Sequence, residues 1–393
     1  MSMRNAPVVL AMGLASVLAT ATASIVATQA PQLAALPDTL PAPADNPTTP
    51  ERVALGRLLF WDPILSGQKD VACATCHHPD FGYSDGLALS IGAGGAGLGP
   101  GRTFAAGHPA QPVKRNSQTI LNVAFNGLAA RATATPATAP MFWDLRVQGL
   151  EAQALEPLKA AEEMRGGAFA EDRAIPAAVA RLNDLPEYRR LFARAFGGTA
   201  VVTGQNLGRA LAAFQRSLVA MNSPFDRYMR GDPTALNSDQ LRGMDRFSTA
   251  GCVQCHNGPM FSDFTPHVLG VPDSTQLAAS DAGVNHTYAF RTPSLRNLAA
   301  TAPYMHSGVF TTLPEVINFY QRISRGGGGR GGRAVNPHVT RDQIDPLARG
   351  LRMGGRGQRD LIAFLEALDD PNFDRTIPER VPSGLPVGGT LTR

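Results

Sequence analysis

The sequence predicts a mostly α-helical protein made of two similar modules with long irregular loops, and three observations carry that expectation. Apolar residues recur at helical spacing, as in Leu207, Leu211, Phe214 and Leu218. A five-residue pattern, Cys73-Ala74-Thr75-Cys76-His77, returns as Cys252-Val253-Gln254-Cys255-His256, each time after a helical stretch. Forty glycines and thirty-one prolines in 393 residues exceed ordinary usage, so long irregular segments are expected between the helices.

Two thiols three positions apart, followed at once by an imidazole, suit covalent haem attachment. Each cysteine can add across a haem vinyl group, and the histidine then lies under the iron as its proximal ligand. These four cysteines are all the cysteines of the chain. A redox disulfide, or one zinc site built from both pairs, competes with this reading, but neither explains why histidine follows both times. Two covalently bound c-type haems are therefore expected, one on Cys73 and Cys76 with His77, the other on Cys252 and Cys255 with His256. A bulky apolar cofactor lets a loop-rich module complete its core.

The chain divides into a signal peptide (1–23), a linker (24–47), an N-terminal haem module (48–225), a C-terminal haem module (226–375) and a tail (376–393). Arg4 precedes an apolar run that ends in the small-residue signal Ala21-Thr22-Ala23, which reads as export with cleavage near Ser24. An uncleaved anchor is the competing reading, weakened by the polar interruptions at Gly13 and Ser16. Haem c is assembled outside the cytoplasm in bacteria, which points to the periplasm and to no stable membrane span. The net charge of +4 is too small to argue for a nucleic-acid partner. Arg325, Arg330 and Arg333, set among glycines, read as a solvated loop in an exported protein.

Thr49 caps the first expected helix, with Pro50 at its first position and Val53, Leu55, Leu58 and Leu59 as its buried stripe. The glycine-rich stretch 91–101 lacks a strand–helix context, so it reads as a close wrap over haem edge or backbone rather than a phosphate loop. Met141-Phe142-Trp143-Asp144 opens an expected helical region through Glu163. Packing helices follow at 174–196 and 204–221. Ser238 caps a helix presenting Leu241, Met244 and Phe247 before Cys252, repeating the order of the first half. Leu361, Ile362, Phe364, Leu365 and Leu368 make a closing helix.

The haem motifs together with Phe142-Trp143-Asp144, Glu162-Glu163-Met164, Thr292-Pro293-Ser294-Leu295-Arg296-Asn297 and Ala302-Pro303-Tyr304-Met305-His306-Ser307-Gly308 resemble the bacterial di-haem cytochrome c peroxidase/MauG family, in its order and at its spacings, over essentially the whole mature chain. The resemblance implies a peroxidatic N-terminal haem, an electron-relaying C-terminal haem, and Trp143 between them. It further implies a distal pocket formed by Glu163, Gln153 and Pro157, in which Glu163 acts as general acid–base on hydrogen peroxide. Glu162 is rejected as a solvated neighbour. Tyr320, seventeen positions after Pro303, matches the distal ligand of the second haem, as in the MauG-like branch; the peroxidases use methionine there. Asn116, Thr301 and Pro303 match the positions whose oxygens hold one calcium ion, and His306 falls within reach of a haem propionate.

Two departures accompany the resemblance. His108 lies near the place of a removable blocking histidine, but Gly107-His108-Pro109 reads as an exposed loop. Ala250 stands where MauG places a tryptophan through which it oxidises its partner. The expected activity is peroxide-dependent oxidation with equivalents shared between the haems and passed to a redox partner or substrate protein, including oxidation of a partner's side chain as by MauG or the MbnH of methanobactin gene clusters. A detoxifying peroxidase reduced by a small electron-transfer protein is the second reading. A non-enzymatic electron-transfer cytochrome is the third, and a distal Glu163 and Gln153 would have no use in it.

Overall fold

Both haem motifs follow a helix that crosses a second helix through a glycine. The computed structural model describes Met1 and residues 32–130, 133–198, 202–325, 336–352 and 357–391. The expected signal segment beyond Met1, part of the linker, Arg330 and Arg333 lie outside the described residues. Residues 31–393 form one compact unit.

The helices are α1 (Pro50–Trp61), α2 (Leu150–Gln153), α3 (Glu156–Lys159), α4 (Ala174–Asp184), α5 (Pro186–Phe196), α6 (Gly204–Ser217), α7 (Pro224–Met229), α8 (Ser238–Thr249), α9 (Leu313–Ser324), α10 (Pro346–Arg349) and α11 (Gln358–Glu366). Strands are confined to three two-stranded antiparallel ribbons among the described residues: β1 (Gly95–Ala96) with β2 (Thr103–Phe104), β3 (Pro140–Met141) with β4 (Val147–Gln148), and β5 (Pro266–Val268) with β6 (Ala289–Arg291). The protein is mostly helical with little sheet, as expected.

The Thr49 hydroxyl accepts the Arg52 N–H at 3.4 Å and Pro50 takes the first helical position, where a missing N–H costs nothing. Leu55, Leu59, Phe60 and Trp61 are buried, and α1 packs on α6. A Cβ at Gly56 would lie 2.1 Å from the Ala210 carbonyl oxygen, so only glycine allows this crossing. The pattern repeats where α8 meets α11, since a Cβ at Gly243 would lie 2.0 Å from the Asp360 oxygen. The cap of α8 is Asn237 rather than Ser238: its Oδ1 accepts the N–H groups of Asp239 and Gln240, both at 3.0 Å, and Gln240 answers as the third helical residue.

The expected helical region from Met141 to Glu163 is broken. Phe142 and Leu145 take left-handed backbone (φ 63° and 60°), and only α2 and α3 are helical before a π turn at Ala161–Arg165. Around 174–196 the helix breaks at Leu185, because Pro186 can only begin a new one.

One core gathers α1, α4, α5 and α6 with the first motif; a second gathers α7, α8, α9 and α11 with the second. The two chain ends cross over between them. Leu33 bridges to Gly258, and the Leu36 N–H donates to Asp226 Oδ1 at 3.0 Å, so residues 33–36 of the expected linker lie against the second half, whereas Asn46 donates to Glu151 Oε1 at 2.7 Å and rejoins the first. Phe373 and Val381 are buried in the first core, and Ile377, Leu385, Val387 and Leu391 pack on it. The Gly388 N–H donates to the Trp61 carbonyl at 2.8 Å, and the Tyr83 hydroxyl to that of Asp374 at 2.7 Å. Residues after 370 therefore adhere to the half of the protein made first.

Candidate active site

Each motif folds into a tight turn, Cys73–Thr75 and Cys252–Gln254, closed by the histidine N–H donating to the first cysteine carbonyl at 3.1 and 2.9 Å. His77 Nδ1 lies 3.0 Å from the Tyr83 carbonyl oxygen, and His256 Nδ1 lies 2.9 Å from that of Phe261. A carbonyl can only accept, so Nδ1 carries the proton and Nε2 is left as the ligand atom. Burial lowers the pKa of both histidines, which favours the neutral imidazole that an iron ligand must be. Tyr83 and Phe261 themselves sit at φ 58° and 52°, unusual for bulky residues, and both are fully buried, which holds the carbonyls in place.

All four thiols are free, and they do not converge on a shared centre. Among the described residues, one zinc site built from both pairs is therefore not formed.

A single cavity of about 740 Å³ runs along both motifs, lined by Cys76, His77, Cys252, Cys255 and His256. Close-packed protein interiors rarely hold voids larger than a water molecule, so a cavity of this size fits bulky cofactors. Trp143, Gln153, Glu163, Tyr320, Asn116, Thr301 and Pro303 all line it as well. Cys73 and Pro157 do not form part of the lining.

Glu163 belongs to the π turn, a feature that recurs at functional sites. Its backbone is held from below: the Ala93 N–H donates to the Glu163 carbonyl at 2.9 Å. Gly92 makes this approach possible, since a Cβ there would lie 2.2 Å and 2.3 Å from the Glu162 and Glu163 oxygens. The glycine-rich stretch thus wraps backbone at this point. Burial, with Glu162 beside it, pushes Glu163 up to about 7, a value suited to taking and returning a proton near neutrality. Glu162 is exposed.

Trp143 is buried, its indole N–H donates to the Asn116 carbonyl at 3.0 Å, and its ring meets His306 edge-on at 6.3 Å. His306 stacks on Phe290 with centroids 3.6 Å apart, and its Nε2 has no protein partner although buried. An orphaned donor or acceptor in the cavity wall is consistent with a polar group of a cofactor, such as a propionate. Asn116 Nδ2 donates to the Leu87 carbonyl at 2.8 Å, which turns its Oδ1 the other way. Thr301 and Pro303 line the same cavity, so the three offer oxygens only, the kind of ligand calcium takes.

Tyr320 projects from α9 into the cavity beside the second motif. Burial, then Cys255 and Cys252, raise its phenol pKa, so a phenolate there requires an adjacent cation. Met305 also lines the cavity. His108 does not: it is exposed, stacked on Phe104 at 5.5 Å, as the loop reading expects.

Some site residues escaped the sequence reading. Ser117 Oγ donates to the Cys76 carbonyl at 2.7 Å and lies 3.3 Å from His77 Nδ1. Arg291 is buried on the cavity wall, donating to the Phe142 carbonyl and to Gln118 Oε1 at 2.8 and 3.0 Å. Both adjoin segments that the motif reading quoted, which was their only signal.

Two histidine-bearing haem motifs on one cavity, in a mostly helical frame, define a di-haem c-type protein, and the chain belongs to the di-haem cytochrome c peroxidase family, whose profile matches residues 50–234. It is similar to the cytochrome-c peroxidase IdrP1 of a Pseudomonas species, 37% identical over 412 residues, covering 93% of this chain and 96% of the relative. The methylamine utilization protein MauG of Methylorubrum extorquens is 35% identical over 348 residues, covering 87% of this chain and 85% of that protein. Among solved structures, a MauG-like protein associated with microbial copper homeostasis superposes with a TM-score of 0.67 at 29% identity, over 85% of this chain and 95% of that one. Family membership implies two c-type haems and an oxidoreductase acting with peroxide.

Proposed function

We propose that the chain is a periplasmic di-haem peroxidase of the MauG-like branch, in which hydrogen peroxide reacts on the His77 side of the cavity and the oxidising equivalents pass to a partner protein. When bound, the haems supply an iron for the peroxide oxygen and a store for two oxidising equivalents. His77 and His256 offer neutral Nε2 atoms from below, and Cys73/Cys76 and Cys252/Cys255 fix the two groups covalently, one in each module.

Glu163 takes the proton from the near peroxide oxygen and returns it to the far one, which leaves as water. Gln153, on the same wall, can hydrogen-bond the peroxide and hold it beside the carboxylate. Trp143 is the path for electrons between the modules, fixed by Asn116 and edge-on to His306. Asn116, Thr301 and Pro303 would hold calcium through their oxygens, and Tyr320 would offer its phenolate oxygen to the iron of the haem that His256 holds.

The observation that carries this reading is Glu163, a carboxyl poised near neutrality on the cavity that also exposes His77. Rapid mixing of the oxidised protein with hydrogen peroxide tests it: the wild type reacts directly, and Glu163→Gln reacts slowly with both haems retained. Equal rates refute the assignment. The second reading, a detoxifying peroxidase with methionine on the second haem, is favoured by one observation, the presence of Met305 on the cavity wall.

A further inference from the structure

His267, in the middle of β5, has a carboxylate at each end of its ring. Nδ1 lies 2.7 Å from Asp345 Oδ2 and Nε2 lies 3.0 Å from Asp263 Oδ2, with Thr265 Oγ1 at 2.9 Å from the same nitrogen. A neutral imidazole has one N–H, whereas two carboxylates facing two ring nitrogens need two, so the ring is an imidazolium. Burial alone would pull its pKa down; the Asp263 and Asp345 carboxylates, which accept its two ring N–H groups, hold it up.

Both acids are fastened. The Asp263 N–H donates to the Cys255 carbonyl at 2.7 Å, tying that residue to the second haem motif. Asp345 caps α10 through Oδ1, which accepts the Leu347 N–H at 2.8 Å, and its own N–H donates to the Val268 carbonyl at 2.9 Å. Ligand atoms of Cys255, Asp263 and His267 all lie within 4.8 Å of one another. This trio is not a metal centre on the present reading, because the Cys255 sulfur is taken up in the bond to haem. His267 also lines the cavity. It follows Phe261 by six positions, and the position six after Tyr83 is Leu89, so the imidazolium belongs to the second motif, while the cation near Cys76 of the first is the Arg102 guanidinium.

We propose that His267 is a positioning residue whose fixed positive charge offsets the Asp263 and Asp345 carboxylates beside the second motif and so keeps the reduction potential of the C-terminal haem higher than the two acids alone would set it. The inference rests on the reading that Cys252 and Cys255 carry a haem. A positive charge beside a redox centre stabilises the form with the extra electron, and an acid beside it does the opposite. The carboxylates hold the ring charged and aimed at Cys255, and the cap on α10 keeps Asp345 from turning away.

The test is a spectroscopic redox titration of the di-haem protein and its variants, with haem occupancy checked by intact mass. His267→Gln should lower the reduction equilibrium constant of the C-terminal haem about tenfold, or about 59 mV for one electron. Asp263→Asn should raise it, and the N-terminal haem should move in neither. An unmoved C-terminal potential in His267→Gln with both haems attached, or a fall in both variants, overturns the charge assignment alone. If His267→Gln does not fold, Asp345→Asn takes its place, with a rise expected and a fall overturning the proposal. A protein with no haem on Cys252 and Cys255 overturns the inference together with the reading beneath it.

Discussion

Trp143 and Asn116 are joined by one hydrogen bond, from the indole N–H to the main-chain oxygen at 3.0 Å. The residue proposed to pass electrons therefore leans on a residue proposed to hold calcium. The Asn116 N–H in turn donates to the His306 carbonyl at 2.8 Å, so the calcium loop, the histidine and the tryptophan move together. Removing calcium with a chelator should slow transfer between the haems and alter their spectra, with recovery on adding calcium back. Metal analysis that finds no calcium in active protein, or chelation without effect on rate and spectrum, removes the assignment.

Glu163→Gln keeps the shape of the side chain and removes the proton transfer, so reaction with peroxide should slow on the order of 10²-fold. Because burial and Glu162 push the carboxyl up to about 7, the wild-type rate should climb as pH rises through about 7, and the variant should lose that dependence. Stability runs the other way. A folded carboxyl held above its ordinary value of 4.5 binds more protons than the unfolded one between 4.5 and about 7, so its contribution falls as pH rises across that window. The glutamine variant should accordingly be no less stable than wild type at pH 8, as thermal unfolding can measure.

Tyr320 separates the two enzymatic readings. A buried phenol beside Cys255 and Cys252 keeps its proton unless a cation faces it, and ferric iron would be that cation. Magnetic circular dichroism should show tyrosinate ligation, and the fully oxidised protein should react with peroxide without prior reduction. Tyr320→Met should raise the potential of that haem. Methionine ligation in the wild type, with an obligatory reduction step, would return the protein to the detoxifying peroxidases.

The two helix crossings make a prediction about stability alone. Gly56→Ala and Gly243→Ala would each drive a methyl group into a backbone oxygen of the partner helix, at 2.1 and 2.0 Å. Each should cost about 1–3 kcal/mol as the helices separate, read as a lowered unfolding midpoint. Gly92→Ala should do more than destabilise: it displaces the π turn, so peroxide reactivity should fall with it.

The haem motifs were legible because their chemistry is compressed into five residues, and the Thr49 cap because it is local. Glu163, Gln153 and Tyr320 were reachable through spacing against a family register, and all three line the cavity. The long-range parts were not legible. Asp345 lies seventy-eight positions from His267, and nothing in either neighbourhood announces the pairing. The broken region around Phe142 and Leu145 was hidden because bulky residues rarely take left-handed backbone, and only tertiary packing holds them there. Ser238 and Asn237 are both good caps, so propensity alone could not choose between them.

The exchange of chain ends between the two cores bears on the order of assembly. Residues 32–36 can reach their place only once Asp226 and Gly258 exist, and the wall behind Tyr83 closes only when residues 373–391 arrive. A chain emerging from its N-terminus offers Cys73 and Cys76 while that wall is still missing. The module synthesised first is the one finished last, and a truncation of the final twenty residues would strike the distant core around Cys73 and His77 rather than the core around Cys252 and His256 that is nearer in sequence.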